Sequence, residues 1–242
     1  MAERVIRLHQ FPTAHGVENL SPFCMKVEVF LRLAGLPYEI KWTPNPGKGP
    51  LGKLPFIRDD DGTLVADSES IIEHLTRKHD LKLDAGLSAD EKAIGHAFQR
   101  MLSEHTYFAL LYHRWIHPDT WPVTRQTFFG PIPAPLRGAL ATFVQRKTLR
   151  DLKGHGLGRH PEQEINRRAA QDIAALAEHL NVKPYFMGDK PTSIDATVYA
   201  FLANLWEVQM ETPLKAIVGK HKNLVAYCQR MRSRCFGDKS GR

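Results

Sequence analysis

Residues 19–40 read "NLSPFCMKVEVFLRLAGLPYEI". Phe23, Val27, Phe30, Leu31 and Ala34 follow the three-and-four spacing of one helix face. Gly35 stands where a left-handed residue closes a helix, and Pro37 forbids its continuation. From Tyr38 to Trp42 the chain resumes as a strand. The helix opens on Ser21-Pro22: a serine hydroxyl accepts from an orphan backbone N–H, and proline is tolerated in the first turn. Such a cap contributes about 1 kcal/mol and accounts for the pair without chemistry. The same four residues, Ser21-Pro22-Phe23-Cys24, have the spacing of a two-cysteine redox motif with the first sulfur replaced by oxygen. A hydroxyl beside unpaired N–H groups, near roughly +0.5 charge, is suited to donate to a sulfur and favour its anion.

Working outward, residues 5–8 form a short strand by β-branched content. A polar loop with Pro12 and Gly16 follows, up to residue 20. After the second strand, "TPNPGKGPLGK" (43–53) is a proline- and glycine-rich loop. Residues 54–57 and 63–65 are strands joined by the turn Asp59-Asp60-Asp61-Gly62, and 68–79 is helical. Strand, helix, strand, loop, strand, strand, helix is an α/β unit with one mixed sheet. Beyond residue 88 no strand is evident. Ile94, Phe98, Met101, His105, Phe108, Tyr112 and Trp115 mark a long amphipathic helix that ends before Pro118. A proline-interrupted segment, 121–135, precedes helical patterns at 138–152, 162–180, 194–205 and 214–231. Two domains are expected, 1–80 and 88–242, the second all-helical, joined by "LKLDAGL" (81–87).

Composition narrows the function classes. With 43% apolar and 24% charged residues, the 242-residue chain reads as soluble and globular. No run approaches the roughly 18 apolar residues of a membrane span, and residues 1–10 lack a signal-peptide core, so a cytoplasmic protein without a membrane partner is expected. Three cysteines, Cys24, Cys228 and Cys235, make neither a disulfide framework nor a zinc pattern. Net charge is +7; residues 1–80 hold 10 basic and 11 acidic side chains (−1), the remainder 23 and 15 (+8). No basic stripe interleaved with aromatics appears, so a nucleic-acid partner is not expected. A solvated basic surface, or an anionic small substrate, fits better.

Seven motifs in order, "SPFCMKVEVFLRLAGLPYE", "GKLPFI", "ADSESIIEHL", "LYHRW", "GHGLGRHPEQEI", "MGDKPTSIDATVYAFLANL" and "NLVAYCQRM", resemble the glutathione transferase superfamily across nearly the whole chain. They are most similar to the branch of failed axon connections proteins and metaxins. The resemblance implies a thioredoxin-like N-terminal domain with a mixed sheet, followed by an all-helical domain. It implies glutathione as co-substrate, a small-molecule electrophile as partner, a homodimer and a role in detoxification. The alternative, which metaxin-like relatives suggest, is a non-catalytic binding or scaffold protein.

The resemblance also assigns residues. Ser21 takes the position that stabilises the glutathione thiolate, and Ser-Pro-Phe resembles the serine pattern of the plant tau class. Thiol-exchange relatives carry cysteine at that position, which sets Cys24 aside as a buried thiol. Proline cannot donate to a sheet ladder; Pro55 of Lys53-Leu54-Pro55 is implied to follow a cis bond. The Leu54 backbone then offers an extended peptide one more rung, with Lys53 near the glycyl carboxylate. Asp67-Ser68 opens a helix that either residue could cap; the resemblance makes its N-terminus a carboxylate receptor, with Ser68 toward the γ-glutamyl carboxylate and Asp67 toward its ammonium. Tyr107 and Arg114 lie on the long helix expected to line the electrophile pocket. Thr192-Ser193-Ile194-Asp195 reads as a structural capping box. "GHGLGRH" follows no strand and is a loop rather than a phosphate cradle. His113 and His117 stand four apart without an HExxH pattern, and no metal centre is expected from them.

Overall fold

The computed structural model describes residues 5–237. A four-stranded sheet has the order β2-β1-β3-β4. Strand β1 (Ile6–Gln10) pairs in parallel with β2 (Tyr38–Trp42), Ile6 opposite Tyr38. It pairs antiparallel with β3 (Phe56–Arg58), Leu8 opposite Ile57, and β3 pairs antiparallel with β4 (Leu64–Ala66). The β3–β4 connection closes on the acidic turn, with Gly62 N–H donating to the Asp59 carbonyl at 2.9 Å. The first and third strands begin one or two residues later than the sequence suggests. β-branched content marks a strand but not its ends, which the ladder register sets.

Helix α1 (Pro22–Ala34) runs between β1 and β2 and ends at Gly35 with φ 66°. Leu36 N–H donates to the Leu31 carbonyl at 3.0 Å, completing a left-handed cap. Every residue from Cys24 to Leu31 is buried, Lys26 and Glu28 included, because α1 is covered on both sides. One side meets Leu8 and Ile57 of the sheet; the other packs on α8, where Phe23 sets its ring edge-on to Phe201. The buried Glu28 carboxylate accepts from Gln10 at 2.7 Å and from Tyr38 and Arg32 at 3.1 Å. Helix α2 (Ser68–Lys78) completes the unit, adding Ile71 and Leu75 to the core.

The rest is helical. The long helix is present but not uniform: α3 (Ala89–Met101) passes through a π-helical stretch, Leu102–Thr106, into α4 (Tyr107–Trp115). A wider turn there costs no apolar periodicity, so the sequence pattern does not reveal it. Helix α5 (Trp121–Phe129) corrects the reading of 121–135 as merely interrupted: Pro122 sits in its first turn, where proline is tolerated. Helices α6 (Ala134–His155), α7 (Glu162–Leu180) and α8 (Ser193–Trp206) fall where periodicity puts them. The pattern at 214–231 is two helices, not one: α9 (Pro213–Gly219) and α10 (Lys222–Phe236). The break comes at Gly219, where a Cβ would lie 2.8 Å from the Trp206 ring. Among the described residues, no helix is long and apolar enough to cross a membrane.

Candidate glutathione site

Three short segments meet above the sheet. Cys24 packs with Leu54 and Phe56 in a small apolar cluster flanked by Phe11 and Ala66, joining the first turn of α1 to the Leu54-Pro55 segment. Lys26 of α1 reaches the Glu69 carboxylate, joining α1 to the first turn of α2. Phe56 stands opposite Ala66 in the β3–β4 ladder, so continuing the register puts Pro55 opposite Asp67. Ser21, Leu54-Pro55 and Asp67-Ser68, distant in sequence, thus surround one corner of the molecule.

Ser21 is half-buried and caps α1. Its Oγ accepts from the Cys24 N–H at 3.3 Å. A hydroxyl has one proton to donate besides its acceptor capacity. The cap uses only the latter; inside the fold the hydroxyl otherwise meets only the sulfur of the buried Cys24. The backbone in front of Ser21 is held from both domains. Asn19 accepts from Ser21 N–H at 3.0 Å and donates to the Phe11 carbonyl at 2.7 Å. Asn204 of α8 donates to the Asn19 carbonyl at 3.1 Å, and the Arg114 guanidinium donates to the Leu20 carbonyl. Arg114 also reaches Asn204 Oδ1 at 3.2 Å. The side chain expected in an electrophile pocket is therefore buried and bonded to the loop that carries Ser21; burial lowers it to about 10. Tyr107 is half-buried with its ring edge-on to Phe23 at 4.8 Å, next to the first turn of α1. Burial raises its phenol, which stays neutral.

Cys24 behaves as a core residue. It is fully buried, and desolvation pushes its thiol up to about 12, against smaller opposing hydrogen bonds from Ser21 and Phe11. A thiol so placed is not ionised at neutral pH, and a thiol rather than a thiolate is a poor nucleophile.

The Leu54–Pro55 peptide bond is cis. The Leu54 side chain is buried, yet neither its N–H nor its C=O bonds to a described residue. That is an unused rung for an extended peptide. Lys53, next to it, is exposed. At α2 it is Asp67, not Ser68, that caps: one carboxylate oxygen accepts from Glu69 N–H at 2.9 Å and Ser70 N–H at 3.2 Å. Asp67 has φ 76° and ψ 134°, a conformation that costs a non-glycine residue on the order of 1–3 kcal/mol and recurs at functional sites. The capping role of Asp67 leaves Ser68 unencumbered. It is buried at the first helical position, its N–H has no intrahelical acceptor, and its hydroxyl bonds to no described residue.

Periodicity alone did not point to Asn19, Lys26, Glu69 or Asn204. Lys26 and Glu28 occupy positions that read as the polar face of a surface helix until both faces of α1 are seen to be covered. Burial brings the Lys26 amine down to about 7, with Asp67 pulling the other way.

This geometry coincides with a family. A model of the glutathione S-transferase N-terminal domain matches residues 22–120, and one of the C-terminal domain matches residues 169–231. The isoprene-epoxide–glutathione S-transferase of Rhodococcus sp. (strain AD45) is 34% identical over 94% of this chain and 98% of its own length. The chain belongs to the glutathione S-transferase superfamily. Within it the chain falls in the branch of Failed axon connections and the metaxins. Failed axon connections of Drosophila melanogaster is 33% identical over 97% of this chain, which spans 59% of that protein. Among solved structures, a glutathione S-transferase from Methylobacterium radiotolerans in complex with glutathione sulfonate matches with TM-score 0.62 at 20% identity, covering 95% of this chain and 91% of that one. The thioredoxin-like sheet domain followed by a helical domain is this superfamily's fold.

Proposed function

We propose that this chain is a glutathione-dependent transferase of the serine type. The Ser21 hydroxyl donates to the glutathione sulfur and holds it as a thiolate for attack on an electrophilic small molecule or a peroxide. The observation that carries this reading is the half-exposed Ser21 hydroxyl at the N-terminus of α1, whose acceptor is filled by the cap and whose proton meets inside the fold only a buried, protonated thiol. Each unit of thiol pKa lowering needs only about 1.4 kcal/mol. One charge-assisted hydrogen bond is worth about that or more, and the α1 N-terminus adds to it.

In this reading the open Leu54 rung pairs with the cysteinyl unit of glutathione. The Ser68 N–H and hydroxyl receive the γ-glutamyl carboxylate, Asp67 faces its ammonium through the oxygen not used in capping, and Lys53 faces the glycyl carboxylate. Tyr107 lines the electrophile side. Arg114 acts through the Leu20 carbonyl, as a positioning residue for Ser21. The likeness to an isoprene-epoxide–glutathione S-transferase supports an epoxide as one class of electrophile. Opening it forms a C–S bond and breaks a C–O bond, and the alkoxide takes a proton from water. Conjugation of this kind serves detoxification, in the cytoplasm and as a homodimer.

A second reading, a binding module without turnover, is supported by the likeness to the metaxins. Isothermal titration with glutathione, followed by an epoxide-conjugation assay, separates the two. Saturable heat with turnover supports the transferase; no detectable heat at millimolar glutathione favours the scaffold.

A further inference from the structure

Away from the Ser21 corner, His113 near the end of α4, His117 just beyond it and Glu162 at the start of α7 converge. One ring nitrogen from each histidine and one Glu162 carboxylate oxygen lie within 4.8 Å of one another. A tetrahedral ion about 2.1 Å from each ligand holds them about 3.4 Å apart. His117 Nε2 and Glu162 Oε1 already stand at 3.4 Å.

The hydrogen bonding of this cluster is incomplete. His113 is buried, and its Nε2 bonds to Asn166 Oδ1 at 2.6 Å. An amide oxygen only accepts, so Nε2 carries the proton and Nδ1 is a bare lone pair. That Nδ1 is buried with no partner. A buried polar atom left unpaired costs on the order of 1–3 kcal/mol. Metal-bound histidines show the same arrangement, with one nitrogen on the ion and the other N–H held by an oxygen.

We infer that His113, His117 and Glu162 form a site for a divalent cation of the zinc type, which ties the end of α4 to the start of α7. Imidazole and carboxylate donors select Zn²⁺ and its neighbours over Mg²⁺ or Ca²⁺. His113 keeps its Nε2–H on Asn166 and offers its other nitrogen. His117 Nδ1 now accepts from Asp119 N–H at 3.3 Å, which places the ring proton on Nε2. On binding at Nε2, that proton passes to Nδ1, which gives up the Asp119 N–H and donates instead toward the Asp119 carboxylate, 4.0 Å away. Glu162 is one-third exposed, so water has access to complete the coordination.

The experiment titrates the full-length protein with Zn²⁺ by calorimetry and with Co²⁺ by visible absorption. Wild type is expected to take one ion, with a cobalt spectrum of low coordination number and a raised Tm on zinc addition. H117A and E162Q are expected to weaken binding at least about tenfold and to lose the Tm increase, while H221A, remote from the cluster, binds as wild type. Circular dichroism of each variant without metal establishes that it is folded; both changed side chains lie at helix ends with partial exposure. Absence of stoichiometric binding by wild type, or equal binding by H117A and E162Q, overturns the site.

Discussion

The starts of α1 and α8 use the same device to opposite ends. Each is a helix N-terminus capped by a short polar side chain. At α8 the arrangement is closed. Asp195 is buried and accepts from Phe186 N–H and Thr192 N–H at 2.8 Å, the Thr192 hydroxyl at 3.0 Å and the Tyr227 hydroxyl at 2.9 Å. At α1 it is open: Ser21 accepts one N–H, faces solvent in part and otherwise meets only the protonated Cys24 thiol. A cap whose every group is matched inside a buried site holds the fold; a cap that reaches solvent and is only weakly matched has something to offer a ligand.

The largest effect falls on the closed cap. Asp195→Ala leaves three donors without their acceptor and the Tyr227 hydroxyl only the backbone carbonyl of residue 195, so a loss of about 3–5 kcal/mol is expected, read as a drop of roughly 10 °C or more in Tm. A loss under 1 kcal/mol would erase the contrast. Next comes the open cap. Ser21→Ala is expected to cut conjugation turnover about 10²-fold, with glutathione affinity nearly unchanged and about 1 kcal/mol of stability lost. Equal turnover removes Ser21 from the mechanism. Ser68→Ala sharpens the comparison at α2, where Asp67 caps and Ser68 is spare. Stability should hold while the glutathione Kd rises about tenfold, the worth of one charged hydrogen bond; a stability loss without an affinity change would make Ser68 the structural group instead. The smallest effect concerns Cys24. With its thiol raised to about 12 by burial, it stays protonated and resists alkylation between pH 7 and 9. Cys24→Ser should leave hydroxyethyl disulfide reduction unchanged, and a fall in that rate would move the chemistry from oxygen to sulfur.

The contrast also explains what could be read in advance. Periodicity and capping residues are local, so α1 with its Gly35 stop and the α8 box with Thr192 and Asp195 were legible. The three segments of the corner, Ser21, Leu54-Pro55 and Asp67-Ser68, each carry a local signal, but that they serve one site was implied only by the family resemblance. What required three dimensions was the division of labour between neighbours. Sequence left open whether Asp67 or Ser68 caps α2; the positive φ of Asp67 and its bonds to Glu69 and Ser70 decide it. Arg114 read as a pocket residue because the resemblance sets its long helix beside the thiol site; the carbonyl of Leu20 that it bonds belongs to a distant loop with no helical period. The break between α9 and α10 is closed by three-residue bonds, Lys220 N–H to the Ile217 carbonyl at 3.2 Å and His221 N–H to the Val218 carbonyl at 2.9 Å, which hydropathy does not encode.

The central claim is that the Ser21 proton stabilises a sulfur anion. Thiolate absorbance of bound glutathione, followed against pH in wild type and Ser21→Ala, tests it without an electrophile. The expected result is ionisation in wild type at least about one unit below the ordinary thiol value near 8.5, and a return toward that value in the variant. Superimposable curves, or a wild-type curve that is not lowered, would contradict it.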